Sequence, residues 1–134
     1  MNSNLHEPLE LVFILLVVYQ VKHYVADFPL QREYMLRKTR PHWDFLLPLM
    51  THCLVHGLGT LFICLYFAPQ LWWLAFLDFA IHFVVDRLKS GPRYLGRFDD
   101  LTQAGFWNIL GLDQMAHHLT HIYFIYRIVT SIYH

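Results

Sequence analysis

Four apolar stretches take up most of this 134-residue chain, and their length constrains the fold more than any other feature. They cover about 9–28, 45–67, 71–88 and 106–133, so each is near the ~20 residues that an α-helix needs to cross a bilayer. Only 15% of the residues are charged, against about 25% in an ordinary soluble domain. Because a small soluble domain cannot bury so much apolar surface, we predict an all-α, integral membrane four-helix bundle, a single domain over residues 1–134.

The distribution of basic residues predicts the orientation of these helices. Of the ten Lys and Arg residues, all but Lys22 and Arg127 lie in or beside the polar connections after the first and third stretches. By the positive-inside rule both connections are cytoplasmic, so both termini face outward and the lipid bilayer is the main partner. The net charge of zero gives no indication of a nucleic-acid partner.

Ionisable side chains recur at intervals of four residues inside all four stretches. Each is costly in a bilayer, and residues four apart lie on one helix face, separated by about 6 Å along the axis. The pairs also fall at a similar depth, so we predict that their faces turn inward and meet in the cytoplasmic half of the bundle. The predicted metal ligands are His23, Asp27, His52, His56, His82, Asp86, Asp113 and His117.

Imidazole and carboxylate groups are the ligands of zinc, iron and manganese in proteins. Eight donors exceed the needs of one tetrahedral ion and suit two divalent ions about 3.5–4 Å apart. We therefore expect a dinuclear site, with zinc favoured and iron or manganese as alternatives. A metal-free polar network or proton path is the other interpretation.

Further polar residues adjoin this set. Asp113 and Asp86 are candidate proton acceptors, and Lys89 is a candidate for binding an anionic substrate such as phosphate. Alternatively, Lys89 simply extends to the cytoplasmic interface. Residues expected to support the ligands or to contact substrate are Gln31, Asp78, Gln114, His118 and His121.

The chain resembles a family of small bacterial and phage membrane proteins catalogued as domain of unknown function 3307. The resemblance lies in HYVADFPLQ (His23–Gln31), THCLVH (Thr51–His56), HFVVDRLK (His82–Lys89) and LDQMAHH (Leu112–His118). More distantly, the chain is similar to inner-membrane proteins labelled metal-dependent hydrolases, which also carry His/Asp pairs on helices. The resemblance implies a bacterial inner-membrane location and a metal site.

Three functions are compatible with such a site. Metal-dependent hydrolysis of a lipid phosphate or pyrophosphate is the first interpretation, since two metal ions activate water and stabilise phosphoryl oxygens. Oxidation is the second, because the segment His117–His121 (HHLTH) resembles the histidine boxes of membrane di-iron enzymes. The third is non-enzymatic: a structural metal, or transport of cations by a homo-oligomer. The apolar outer halves of the stretches count against transport.

Overall fold

The computed structural model describes residues 3–134 of the protein, and this part of the chain forms five α-helices, short 3-10 turns and no strand. Four helices are long and the remaining one is a single turn. The helices are α1 (Ser3–Asp27), α2 (Glu33–Leu36), α3 (Leu46–Phe67), α4 (Leu74–Ser90) and α5 (Ala104–Tyr133). The prediction of an all-α fold is confirmed, and each apolar stretch falls largely within one long helix.

The four long helices pack side by side around a shared interior. α3 packs against α4, α4 against α5, α5 against α1, and α1 against α3. Between α3 and α4 the chain reverses through the 3-10 turn Pro69–Leu71, where proline cannot extend the preceding helix. A Cβ atom added at Gly57 would lie 3.1 Å from the carbonyl oxygen of Ala75, so this glycine allows α3 and α4 to approach closely.

One half of the interior is apolar. It includes Tyr19, whose ring lies at a centroid distance of 5.0 Å from the ring of His121. It also includes Cys64, and both cysteines, Cys53 and Cys64, are buried. The cluster packs at the end where α3 and α4 join and consists of Leu15, Tyr19, Ile63, Cys64, Ala68, Leu71, Leu74, Phe124, Ile125 and Ile128. The other half of the interior, on the far side of Tyr19, is polar.

Two helical segments, His6–Asp27 and Trp43–Phe67, are long and apolar enough to cross a membrane by length and composition. α4 has 17 residues and α5 has 30. Large apolar side chains also lie on the outward faces of the long helices, among them Phe62 and Phe76, at 70% and 68% exposed. The outward faces of the long helices are thus largely apolar, while one half of the interior is polar.

The connection between α1 and α3 is held against the end of α4. It contains α2 and two 3-10 turns, Arg37–Thr39 and Trp43–Phe45. The Arg87 guanidinium lies 3.5 Å from the ring centroid of Phe45 and donates hydrogen bonds to the carbonyl oxygens of Lys38 and Arg40. These contacts position Lys38 beside the polar half of the interior.

Candidate metal centre

The eight predicted ligands lie together in the polar half of the interior. Each long helix supplies two of them, four residues apart, and all are buried except Asp27, whose side chain is 20% exposed. α1 contributes His23 and Asp27, α3 contributes His52 and His56, α4 contributes His82 and Asp86, and α5 contributes Asp113 and His117.

Asp27 joins three imidazoles from two helices. Its Oδ1 lies 3.0 Å from Nε2 of His56 and 3.4 Å from Nε2 of His52. Its Oδ2 lies 3.0 Å from Nε2 of His23. The last turn of α1 and the second and third turns of α3 therefore present their donors to one region.

Asp86 forms a second group with α5. Its Oδ1 lies 3.2 Å from Nε2 of His117, and its Oδ2 lies 3.2 Å from Nε2 of His52. Oδ1 of Asp113 lies 3.3 Å from the same His117 nitrogen. Because His52 contacts both Asp27 and Asp86, it connects the two groups into a continuous cluster.

The spacing of these donors fits metal coordination. Ligand atoms about 2.1 Å from a tetrahedral ion lie about 3.4 Å from one another, close to the 3.0–3.4 Å separations in the cluster. Three sets of residues bring their donor atoms within 4.8 Å of one another and are able to hold a metal ion. They are His23, His56 and His82; Asp27, His52 and His56; and Asp86, Asp113 and His117.

His82 occupies the middle of the cluster. Its ring stacks between those of His56 and His117, with centroid distances of 3.8 and 4.0 Å. Its Nδ1 lies 3.1 Å from the backbone carbonyl oxygen of Asp78, its hydrogen-bond partner, and 3.0 Å from Oδ1 of the same residue. Its buried Nε2 has no hydrogen-bond partner among the described residues. A backbone or carboxylate oxygen on one imidazole nitrogen, with the other nitrogen free, is the usual arrangement of a metal-ligating histidine.

Asp78 is itself held by two donors. Lys22 Nζ and Thr60 Oγ1 each donate to its Oδ2 at 2.6 Å. The side chains of Asp78 and Lys22 are 0% and 8% exposed, so this is a buried ion pair. A Cβ at Gly59 would lie 2.9 Å from Cγ of Lys22, so the glycine leaves room for the lysine stem.

The spacing of four in the sequence assigned no role to Lys22. A signal was available, because a lysine in the middle of an apolar helix requires a partner. The partner itself, Asp78 on α4, depends on how α1 and α4 are rotated, which the sequence pattern does not give.

Two lysines lie over the carboxylates of the second group. Lys89 Nζ donates to Oδ2 of Asp113 at 2.8 Å, and Lys38 Nζ donates to Oδ2 of Asp86 at 2.7 Å. In the sequence, Lys38 is recognisable only as part of a basic connection. No local pattern could have identified its role, because its position depends on the folded connection before α3.

Gln114 and His121 contact members of the cluster or its support. Gln114 Oε1 lies 3.1 Å from Nε2 of His23, and its Nε2 donates to Oδ2 of Asp113 at 3.1 Å. His121 is buried, with its Nε2 3.4 Å from Lys22 Nζ. Both side chains therefore adjoin the predicted ligands without belonging to the three sets.

His118 and Gln31 lie further out. Nδ1 of His118 is 3.1 Å from Nε2 of Gln20 on the more exposed side of α1 and α5, and its ring centroid lies 5.5 Å from that of His23. Gln31 follows the end of α1, partly buried, and makes no side-chain hydrogen bond to the cluster within the described residues. Asp27 and Gln31 are four residues apart in the sequence, but they do not share a helix face, because α1 ends at Asp27.

Of three comparisons with known proteins, one finds a match, to a protein family. No match was found among curated proteins or among solved structures. The model of one protein family, described as "Protein of unknown function (DUF3307)", matches residues 12–133, which include every residue of the cluster. The chain therefore belongs to the DUF3307 family.

Proposed function

We propose that the protein is a multi-pass membrane protein that uses a His/Asp metal centre to hydrolyse a phosphate-bearing substrate. One observation carries the proposal: five imidazoles and three carboxylates from four helices converge in one buried cluster. A chain that gains nothing from such a cluster would be more stable with apolar residues there, since buried ion pairs are often neutral or unfavourable for stability. Zinc is the favoured metal, in two ions.

The membrane location rests on the helix surfaces. Two segments have the length and apolar composition of a span. α4 and α5 pack against them and carry large apolar side chains outward, such as Phe76 and Leu119, so we place all four long helices in the bilayer. The eight basic residues in or near the two longer connections favour an orientation with both termini outside. Resemblance to bacterial inner-membrane proteins favours that membrane.

The chemistry follows from the residues around the cluster. A pair of divalent ions activates water at neutral pH and stabilises charge on phosphoryl oxygens. Asp86 and Asp113 are the candidate proton acceptors, because both lie beside His117 and toward the lysine-covered side. Lys89 is within reach of the same side and is suited to an anionic substrate. A lipid phosphate or pyrophosphate would enter from the cytoplasmic leaflet.

The apolar half of the interior argues against transport. A cation path would need polar groups across the whole bundle, but toward the turn between α3 and α4 the helices close on an apolar core that includes Leu15 and Phe124. A site that is polar at one end and sealed at the other is suited to chemistry on a substrate that enters and leaves on the same side.

Metal content is the first test. The purified protein should contain stoichiometric metal by elemental analysis, and the double variant His52→Ala, His82→Ala should lose it. His6→Ala is the matched control and should retain metal, because His6 is exposed near the start of α1, at the other end of that helix from the cluster residues His23 and Asp27. Equal metal content in the wild type and the double variant would refute the site.

Hydrolysis needs a separate assay. Phosphate release from lipid phosphates and pyrophosphates should require metal, cease with chelator and return when the metal is restored. Iron in the purified protein, together with inactivity across such a panel, would contradict the hydrolase proposal and favour oxidation.

A further inference from the structure

The carboxylates of the polar half fall into two classes according to the cation that each contacts. Asp78 is paired with Lys22, and this buried pair is neutral by itself. Asp86 and Asp113 are paired with Lys38 and Lys89, which cover them on the side away from the apolar core. Within the part of the chain that the structure describes, the groups within salt-bridge distance of Asp27 are all imidazoles.

The net charge of the cluster changes from negative to positive when metal binds. With neutral imidazoles, which metal ligation requires, Asp27, Asp86 and Asp113 carry three negative charges and the two covering lysines carry two positive ones. The net charge is then −1, close to balance. One divalent ion would make it +1 and two would make it +3, and an excess of this kind in a buried site requires an anion.

The same ion would compete with the lysines. Lys38 and Lys89 donate to Oδ2 of Asp86 and of Asp113, and these two residues belong with His117 to a set able to hold metal. Coordination of Asp86 and Asp113 would draw their charge toward the ion and weaken both lysine contacts. The ammonium groups, with side chains 15% and 35% exposed, are then available at the mouth of the site.

A pocket of about 410 Å³ opens beside Lys89. Its polar lining includes Thr39, Ser90 and Asp99 together with Lys89, and its apolar walls include Phe98 and Phe106. Lys89 lines this pocket, whereas Lys38 adjoins it only through its backbone carbonyl oxygen, 3.4 Å from Ser90 Oγ. The two ammonium groups are nevertheless neighbours, because the carboxylates that they contact, Asp86 and Asp113, both lie beside Nε2 of His117. The volume of the pocket is that of a small-molecule site.

We propose that Lys38 and Lys89 form a metal-gated binding site for a phosphate dianion: they neutralise Asp86 and Asp113 in the metal-free protein and bind phosphate when metal occupies the cluster. This deepens the proposed function and rests on it, since it identifies the substrate class of the same centre. A dianion matches the positive excess created by one or two divalent ions and the two ammonium donors that cover Asp86 and Asp113.

The experiment uses the full chain in phosphatidylcholine nanodiscs, loaded with zinc and freed from excess metal by gel filtration. Inorganic phosphate is titrated by calorimetry into the loaded protein and into protein stripped by chelator. We expect phosphate to bind the loaded protein at least about tenfold more tightly, because an ion pair with phosphate is gained only there. Equal affinity for the two forms would overturn the gating.

The lysine variants separate this role from a structural one. Lys38→Met and Lys89→Met should each weaken phosphate binding by about tenfold, since one charged donor is lost, and should strengthen zinc binding, since a competitor for the carboxylate is removed. A lysine that merely stabilises the fold would, when replaced, weaken both. Arg40→Met is the matched control, because its ion pair with Asp44 is exposed and away from the cluster. Unchanged phosphate affinity in both lysine variants would overturn the proposal.

Two outcomes distinguish this proposal from the metal centre itself. Zinc bound without any phosphate affinity would overturn the gated site and leave the metal centre standing, whereas failure to take up metal would overturn both. Adding phosphatidic acid to the nanodiscs identifies the source of the phosphate. Competition with inorganic phosphate assigns it to a lipid headgroup and absence of competition assigns it to a soluble compound; either result supports a phosphate site.

Discussion

Replacing Asp78 with asparagine would remove a charge at the centre of the polar interior while keeping the shape of the side chain. The Asp78 carboxylate contacts His82 Nδ1 at 3.0 Å and accepts hydrogen bonds from Lys22 and Thr60 at 2.6 Å each. Two separate effects follow, one on metal affinity and one on stability.

The effect on metal affinity comes through His82. Its Nδ1 loses the nearby carboxylate charge but keeps the backbone carbonyl oxygen of residue 78 as its hydrogen-bond partner. Because loss of a whole supporting group costs about 10–100-fold in metal affinity, we expect the lower end of that range, about tenfold. That factor corresponds to about 1.4 kcal/mol. The ligand atoms themselves are unchanged, so the variant should still bind zinc, only more weakly.

The effect on stability comes through Lys22. The Asp78→Asn substitution would leave this buried ammonium without its counter-ion, and breaking a buried ion pair costs about 3–5 kcal/mol. Removing both charges with Asp78→Asn and Lys22→Met should restore most of that stability, because a buried pair replaced as a whole is often neutral. The double variant should nevertheless keep the weakened zinc affinity, since His82 still lacks its carboxylate.

The assay combines chemical unfolding, followed by circular dichroism in detergent, with competition for zinc against a chelator of known affinity. We expect different results from the two measurements. The stability of the double variant should approach that of the wild type, whereas its zinc affinity should remain as low as that of Asp78→Asn. Recovery of zinc affinity in the double variant would show that Asp78 acts only by neutralising Lys22. That result would refute the reasoning about His82.

Three further predictions address the packing, the site and the topology. Gly57→Ala should lower the free energy of unfolding by about 1–3 kcal/mol, measured in the same assay, because its Cβ would meet a backbone oxygen at 3.1 Å. His117→Ala should reduce metal content by elemental analysis, since His117 contacts both carboxylates of its set. In intact cells, a thiol at Asp99→Cys should react only with a permeant reagent, and one at Gln70→Cys also with an impermeant one.

The chain offers a control for the Gly57→Ala prediction and for the thiol-labelling prediction. At Gly111 an added Cβ meets nothing within 4 Å, so Gly111→Ala should not destabilise and should gain about 0.5–1 kcal/mol from helix propensity. The thiol assay has a low background, because Cys53 and Cys64 are both buried. Equal labelling of the two introduced cysteines by the impermeant reagent would contradict the proposed orientation.

Much of the fold could be predicted from hydrophobicity alone. The long apolar stretches predict helices because the backbone must satisfy its own hydrogen bonds wherever water is excluded. The ends of the helices were harder to predict from the sequence. α4 begins at Leu74 rather than near residue 71, because Pro69–Leu71 forms a 3-10 turn, and α1 starts at Ser3. Such ends depend on local turn geometry, which hydropathy does not record.

The spacing of four was informative about the site for a similar reason. It places two donors on one helix face, and the cost of burying them implies that the faces meet. The pattern does not say which group lies beside which. The contact of His52 with both Asp27 and Asp86, and the position of Lys38 over Asp86, depend on helix rotation and on a folded connection.

The division of the interior explains how the chain tolerates so many buried charges. The apolar cluster around Leu15, Tyr19 and Phe124 packs the four helices at one end. At the other end, three of the four carboxylates are each paired with one of the lysines Lys22, Lys38 and Lys89. Stability therefore comes mainly from the half that does no chemistry. Apolar substitutions of the histidine ligands, which leave every lysine with its carboxylate, should then keep the fold intact while reducing metal binding, the trade-off expected when a cluster is retained for function.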